Sequence, residues 1–109
     1  MVLYIVNAQI TPFKGKQAVF KEERITIEEA KELVRHNNFI SAVGHESTAK
    51  LLSQLLGVEI PTSRQQIFLE PSDKALAFVL KSRPPEGKVL TLEELNQIGF
   101  ELILIERVE

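Results

Sequence analysis

Cysteine is absent from this sequence of 109 residues. Without it the chain has no thiolate nucleophile, no thiolate metal ligand and no redox-active thiol, so these three kinds of chemistry are excluded. An excess of positive charge is also absent, because 13 lysines and arginines stand against 15 acidic residues and leave a net charge of -2. That balance argues against a broad basic face for a long nucleic acid. No apolar run approaches the roughly 18 residues of a membrane-spanning helix, so we expect no membrane partner.

The remaining composition is typical of one globular domain spanning residues 1–109, with 44% hydrophobic and 26% charged residues. The first residues, MVLYIVNAQITPF, have neither the basic region nor the cleavage site of a signal peptide, so we expect a cytoplasmic protein that begins with a strand. A chain of this size buries only about 60–68% of its unfolded surface. Its core is therefore thin, and we expect a homodimer whose interface adds to it.

Capping residues and hydrophobic spacing predict three helices. Two of them begin at a Thr-x-x-Glu capping box, the other follows a histidine, and two are ended by a glycine. The predicted helices cover residues 26–36, 45–56 and 91–97.

Apolar runs bounded by turn residues predict the strands. These are 2–7, 65–69, 75–83 and 100–108, while 39–43 is either a short strand or a buried loop. A turn containing Pro71, Ser72 and Asp73 joins the second and third of them. Residues 11–18 are predicted as a loop, and the acidic stretch 22–32 is typical of a solvated helix face. The predicted fold is a single α+β domain with a mixed central sheet flanked by helices.

The segment Gly44-His45-Glu46-Ser47-Thr48 is the best chemical constellation in the sequence. A glycine before a helix N-terminus lets a ligand approach the backbone, and the free N–H groups with the positive end of the helix dipole attract a phosphate. The hydroxyls of Ser47 and Thr48 add donors, and His45 beside such an anion site can protonate a leaving oxygen. In a plainer interpretation the serine caps the helix and the histidine is a spacer. From these five residues alone, the plainer interpretation is the commoner one.

The other histidine, His36, is predicted at the C-terminal end of the first helix among polar residues. A histidine there commonly interacts with the helix dipole and has no further role. We interpret it as structural.

Arginines near predicted strand ends favour the functional interpretation of His45. Arg64 precedes one predicted strand, and Arg83 follows another in SRPPEGK, together with Glu86 and Gly87. Guanidinium groups at strand ends can converge on phosphates. Lone arginines there are also commonly solvated, and a Pro-Pro-Glu-Gly turn needs no function to explain it.

Other catalytic arrangements are poorly supported. Asp73 is the only aspartate and no glycine pair surrounds a serine, which disfavours a Ser-His-Asp triad. No His, Asp and Glu set has metal-ligand spacing, and no glycine loop of the nucleotide-binding type is present. We therefore expect neither a metal nor a cofactor.

Several segments together resemble the viral type III anti-CRISPR ring nuclease family and its cellular relatives. They are Asn7-Ala8 after the first strand, AVGHESTAKLLSQLLG, Arg64 and KSRPPEGKVLTLEEL. The likeness runs through nearly the whole chain. Its most specific parts are G-H-x-S-T from Gly44 and R-x-x-E-G-K-V-L from Arg83. Each motif alone is weak evidence for the family, and the two in this order are more specific.

The resemblance implies a dimeric, metal-independent enzyme that binds cyclic tetra-adenylate, the second messenger of type III CRISPR immunity. It would cut the ring to linear di-adenylate with a 2′,3′-cyclic phosphate, silencing host immunity if the chain is viral or resetting it if the chain is cellular. His45 would be the general acid that protonates the 5′ oxygen as the 2′-hydroxyl attacks. Arg83 and Glu86 would bind and orient the scissile region.

Ligand contacts are also implied by the resemblance. They fall on Asn7, Ala8, Ser47, Thr48 and Arg64, and the anion site adds Gly44. Better known viral members place a serine shortly after the Asn-Ala pair, whereas this chain has Ile10 there, followed by Thr11. Thr11 is therefore the candidate substitute.

Two functions of other classes stay open. One is a sensor or sequestering protein that binds a cyclic nucleotide without cutting it, which the intact His45, Arg83 and Glu86 disfavour. The other is a small DNA-binding regulator. An acidic pI of about 5.7 and a second helix whose one cation is Lys50 disfavour that function.

Overall fold

The computed structural model describes residues 1–82 and 90–109. Within them lie five strands and three helices in one α+β domain. In chain order these are β1 (Leu3–Val6), β2 (Phe20–Ile25), α1 (Ile27–His36), β3 (Phe39–Ser41), α2 (Glu46–Leu56), β4 (Lys74–Leu80), α3 (Leu92–Ile98) and β5 (Phe100–Arg107). None of the helices in this described part is long and apolar enough to cross a membrane.

The strands form one mixed sheet in the order β2-β5-β4-β1-β3. β1 runs parallel to both of its neighbours, with Leu3 opposite Phe39 on one side and Lys74 on the other. β5 is antiparallel to β4 and to β2. The predicted mixed sheet is confirmed, and its three parallel strands share one C-terminal edge.

All three helices pack against one face of the sheet. Leu3 and Ile5 of β1 point into this layer together with Leu76 and Phe78 of β4. The helices contribute their buried stripes, which are Ala30 and Val34 of α1, Ala49, Leu51, Leu52 and Leu56 of α2, and Leu95 of α3. The alternation along each strand thus assigns one residue in two to the main core.

The opposite face of the sheet is covered by irregular chain. Ile67 and Leu69 pack there on a smaller cluster that includes Val6, Ala77 and Ile105. The prediction of a strand at 65–69 is wrong, because this segment makes no ladder in the sheet. Its alternating burial comes from lying across the sheet face, where an irregular segment also buries every second side chain.

β2 was not predicted from the sequence. Its four central residues, Lys21 to Arg24, are all exposed and charged. The strand forms because it pairs with β5 at the edge of the sheet, where charged side chains also discourage pairing with another chain. The acidic stretch 22–32 is therefore divided between an edge strand and α1.

The predicted helix ends are confirmed. Thr26 and Thr91 each accept a hydrogen bond from the backbone of the glutamate three residues later, which completes both capping boxes. Gly57 ends α2 with φ 74°, a left-handed conformation that favours glycine. The capping boxes thus fix where α1 and α3 begin, and Gly57 fixes where α2 ends.

Candidate phosphate-binding site at the strand ends

The C-terminal edge of the parallel strands gathers the candidate site residues. Asn7 directly follows β1, and Gly44 and His45 follow β3 at the same edge. In sheets of this kind ligands bind where neighbouring strands end and the chain departs in different directions. Arg83 comes after β4 in the sequence, but Arg83 and Glu86 lie outside the described residues.

Among the described residues, no side chain caps the N-terminus of α2. His45 occupies the N-cap position with an extended backbone, and its side chain makes no cap hydrogen bond. The first N–H groups of a helix have no partner within the helix, so those of Glu46, Ser47 and Thr48 face outward. His45 and Ser47 are exposed and Thr48 is half-buried. The capping part of the plainer interpretation is therefore wrong, while its other part, with His45 as a spacer, is not tested by this geometry.

Arg64 lies against this helix N-terminus. A Cβ atom at Gly44 would be 3.6 Å from both Cγ and Nε of Arg64, so the absence of a side chain at Gly44 leaves the arginine close to the backbone. The chain reaches this position because residues 61–65 run beside the end of β3. The Ser63 N–H donates to the Val43 carbonyl at 2.8 Å, and the Ser41 hydroxyl donates to the Pro61 carbonyl at 2.6 Å.

The guanidinium of Arg64 has no hydrogen bond or ion pair within the described part of the chain. The other arginines there are occupied: Arg24 pairs with Glu101 at 3.0 Å, Arg35 with Glu32 at 3.6 Å, and Arg107 donates to backbone carbonyls. An unpaired arginine beside an uncapped helix N-terminus makes a compact positive site suited to one phosphate.

A cavity of about 350 Å³ lies beside this edge. Asn7 is half-buried and lines it, and Ala8 is exposed. Ile10 and Pro12 line the cavity on either side of Thr11, which is half-buried and is not part of the lining. Thr11 as the substitute for the family serine stays a prediction.

His36 is separated from this site by the length of the sheet. It closes α1, just before β3 begins, and so lies at the opposite edge from His45. Its Nε2 is 2.8 Å from Oε2 of Glu32, on the same exposed helix surface. This geometry fits the structural role predicted for it.

Sequence reasoning missed Gln65. Its amide nitrogen donates to the Ser41 carbonyl at 2.7 Å and to the Ser63 hydroxyl at 2.9 Å, and its side chain lines the cavity beside Asn7. The only indication in the sequence was its position directly after Arg64. Across residues 1–82 and 90–109, no group of three or more His, Asp or Glu side chains is placed to hold a metal ion.

Comparison with known proteins assigns this chain to a family. The family described as STIV B116-like matches residues 3–102. The chain belongs to this family. Among its relatives, protein 26 of Sulfolobus islandicus filamentous virus is 53% identical over 98% of this chain and 92% of its own length. Protein ORF117 of Acidianus two-tailed virus is 45% identical over 100% of this chain and 96% of its own.

The STIV B116-like family also reaches outside viruses. The YddF protein of Bacillus subtilis is 34% identical over 100% of both chains. Among solved structures, B116 of Sulfolobus turreted icosahedral virus has a TM-score of 0.80 at 24% identity, covering 96% of this chain and 98% of its own. That likeness establishes the shared fold. The resemblance to ring nucleases stays a prediction about activity.

Proposed function

We propose that this STIV B116-like protein is a metal-independent ring nuclease. It binds cyclic tetra-adenylate and cleaves it to linear di-adenylate with a 2′,3′-cyclic phosphate, which switches off type III CRISPR signalling. It would act in the cytoplasm of a prokaryotic cell or a virus-infected host. The observation that carries the proposal is the placement of exposed His45 at the N-terminus of α2, with Arg64 packed against Gly44. Within residues 1–82 and 90–109, no side chain caps that terminus and none pairs with Arg64.

The reaction needs a phosphate held in place and a proton for the leaving oxygen. The 2′-oxygen forms a bond to phosphorus and loses its proton to solvent, the bond from phosphorus to the 5′ oxygen breaks, and His45 gives its proton to that oxygen. Arg64 and the N–H groups of Ser47 and Thr48 stabilise the charge on the phosphate oxygens. With one histidine at the site, the nucleophile depends on alignment more than on a second base.

A homodimer fits both the ligand and the fold. A ring of four nucleotides has two-fold symmetry, so two equivalent sites can each cut one phosphodiester and release two linear dimers. The sheet face opposite the helices is covered by irregular chain, and Ile10 and Ile40 remain 44% and 43% exposed. Joining two copies also concentrates two arginine sites on one small anion, so the net charge of -2 is no obstacle.

The test is single-turnover cleavage of labelled cyclic tetra-adenylate, with products identified by mass. We expect His45→Ala to bind the ring but to cut it at least about a hundredfold more slowly, because the proton donor is lost. His36→Ala is the matched control and should cut at the wild-type rate, since its ring pairs with Glu32 at the other edge. Equal rates for wild type and His45→Ala would overturn the mechanism.

Two further measurements separate the alternatives. Cleavage should persist in excess chelator, and its loss would show that a metal takes part. Tight binding with no linear product at any pH would instead identify a sequestering protein. A gel shift with random duplex DNA should be negative, because the one cation of α2, Lys50, is 3.3 Å from Glu46.

A further inference from the structure

Gln65 has the geometry of a residue that reads a base edge. Its amide nitrogen carries two hydrogens, and both are used, by the Ser41 carbonyl at 2.7 Å and by the Ser63 hydroxyl at 2.9 Å. The amide orientation is therefore fixed by its own neighbours. The side chain lines the cavity, and its carbonyl oxygen Oε1, which can only accept a hydrogen bond, has no partner among the described residues.

The cavity itself suits a flat, mostly apolar group. Its volume of about 350 Å³ is that of a small-ligand pocket. Apolar walls come from Val6, Ile10, Pro12, Ala42 and Ile67, and amide groups come from Asn7, Gln65 and Gln66. Unstacked bases are bound in this way, by apolar contact on the ring faces and hydrogen bonds along one edge.

The cavity is adjacent to the phosphate site along the chain. Ala42 lies three residues before His45, and Gln65 directly follows Arg64. A nucleotide whose phosphate is held by Arg64 and the start of α2 would thus have its base beside this cavity.

We infer that Gln65 determines base specificity by accepting a hydrogen bond from the exocyclic amine of adenine. Asn7, which has no hydrogen-bond partner among the described residues, donates from its amide to the neighbouring ring nitrogen. Hypoxanthine, the base of inosine, reverses both groups. It has a carbonyl where adenine has the exocyclic amine, and an N–H where adenine has the acceptor nitrogen N1. The inference rests on the proposed function and extends it to the choice of base.

The test compares cyclic tetra-adenylate with the matching ring of four inosine nucleotides. Wild-type protein should prefer adenine in kcat/KM by at least roughly ten- to hundredfold, since the inosine ring leaves polar groups unpaired. Gln65→Met removes the acceptor at similar length, and the preference should fall towards one. Ser63→Ala frees one amide hydrogen and should lower the preference less.

The control is Gln54→Met, the same substitution at an exposed position on α2, and it should keep the wild-type preference. A variant Gln65→Met that slows on both rings by one factor, or that keeps the preference, would overturn the inference, since a purely structural residue behaves in that way. If wild-type protein cuts neither ring while remaining folded, the proposed function itself fails. The two failures are therefore distinguishable.

Discussion

Asp73 shows what one buried carboxylate does for this fold. It is 4% exposed, and its two oxygens accept from the backbone N–H groups of Val2 and Glu70, each at 2.9 Å. The first bond holds the start of β1 and the second closes the turn before β4. Although Asp73 is the only aspartate of the chain, these two bonds give it a structural role.

We predict that Asp73→Ala lowers the free energy of unfolding by roughly 2–4 kcal/mol, because two part-buried N–H groups lose their acceptor. Urea unfolding followed by circular dichroism measures the change. Glu59→Gln, at an exposed acidic position, is the control and should stay within about 0.5 kcal/mol of wild type. A loss below about 1 kcal/mol for Asp73→Ala would contradict the assigned role.

At the scale of the elements, α2 has a glycine at each end with a different task. Gly57 at its C-terminus has φ 74°, and a Cβ atom there would meet nothing within 4 Å. Gly44 before its N-terminus has no such backbone requirement, and a Cβ atom there would meet the side chain of Arg64. Gly57 thus allows the left-handed backbone that ends the helix, whereas Gly44 leaves space for the side chain of Arg64.

Gly57→Ala should therefore cost about 1 kcal/mol of stability through the left-handed backbone alone, and leave cleavage of cyclic tetra-adenylate unchanged. Thermal unfolding and the cleavage assay, run on the same samples, measure the two effects. A clear loss of cleavage at full stability would show that the end of α2 also serves the site.

Gly44→Ala should have the opposite effect, weakening ligand binding while leaving stability nearly unchanged. Its new Cβ would make ordinary contacts at 3.6 Å, so the fold should tolerate it, while the space between Arg64 and the helix backbone is filled. We expect weaker binding of cyclic tetra-adenylate with nearly unchanged unfolding, measured by titration calorimetry and by a thermal melt. Wild-type affinity would argue that the phosphate does not enter between them.

The elements that were predicted correctly depend on local rules. The capping boxes at Thr26 and Thr91 and the glycine at Gly57 act within one turn of the chain, so they are visible in the sequence. β2 depends on a partner about eighty residues away, and its charged sequence does not look like a strand. The strand predicted at residues 65–69 is wrong for the converse reason, because alternating burial occurs here without pairing to another strand.

The residues of the candidate site likewise separate into those that a local pattern predicts and those that depend on contacts distant in the chain. Gly44, His45 and Thr48 were predicted because a glycine before a helix is a local pattern, and Arg64 was predicted from its position before a strand and from the family resemblance. Gln65 was missed because its orientation depends on Ser41, which is 24 residues away in the chain. Whether Arg83 and Glu86 join the site stays a prediction.

For the whole molecule, the two faces of the sheet are unequal. One carries three helices, and the other is closed by a few side chains of irregular segments, of which Leu69 is 1% exposed. We predict that Leu69→Ala costs roughly 2–5 kcal/mol, a loss comparable to a substitution in the main core. Leu92→Ala, at an exposed leucine, is the control for the same change, and equal losses in urea unfolding would contradict the assignment of residues 65–69 to the second core.

The position of β1 in the sheet has a consequence for folding during synthesis. β1 precedes the other four described strands in the chain, yet it lies between β3 and β4 in the sheet, and Leu3 pairs with Lys74. Parallel pairing over that separation in the chain makes folding slow, because a long loop must close before the contact forms. A nascent chain that ends before β4 cannot complete the centre of its own sheet. The sheet should therefore close only after β4 has been made, when β4 can pair with β1 and β5 can pair with β4.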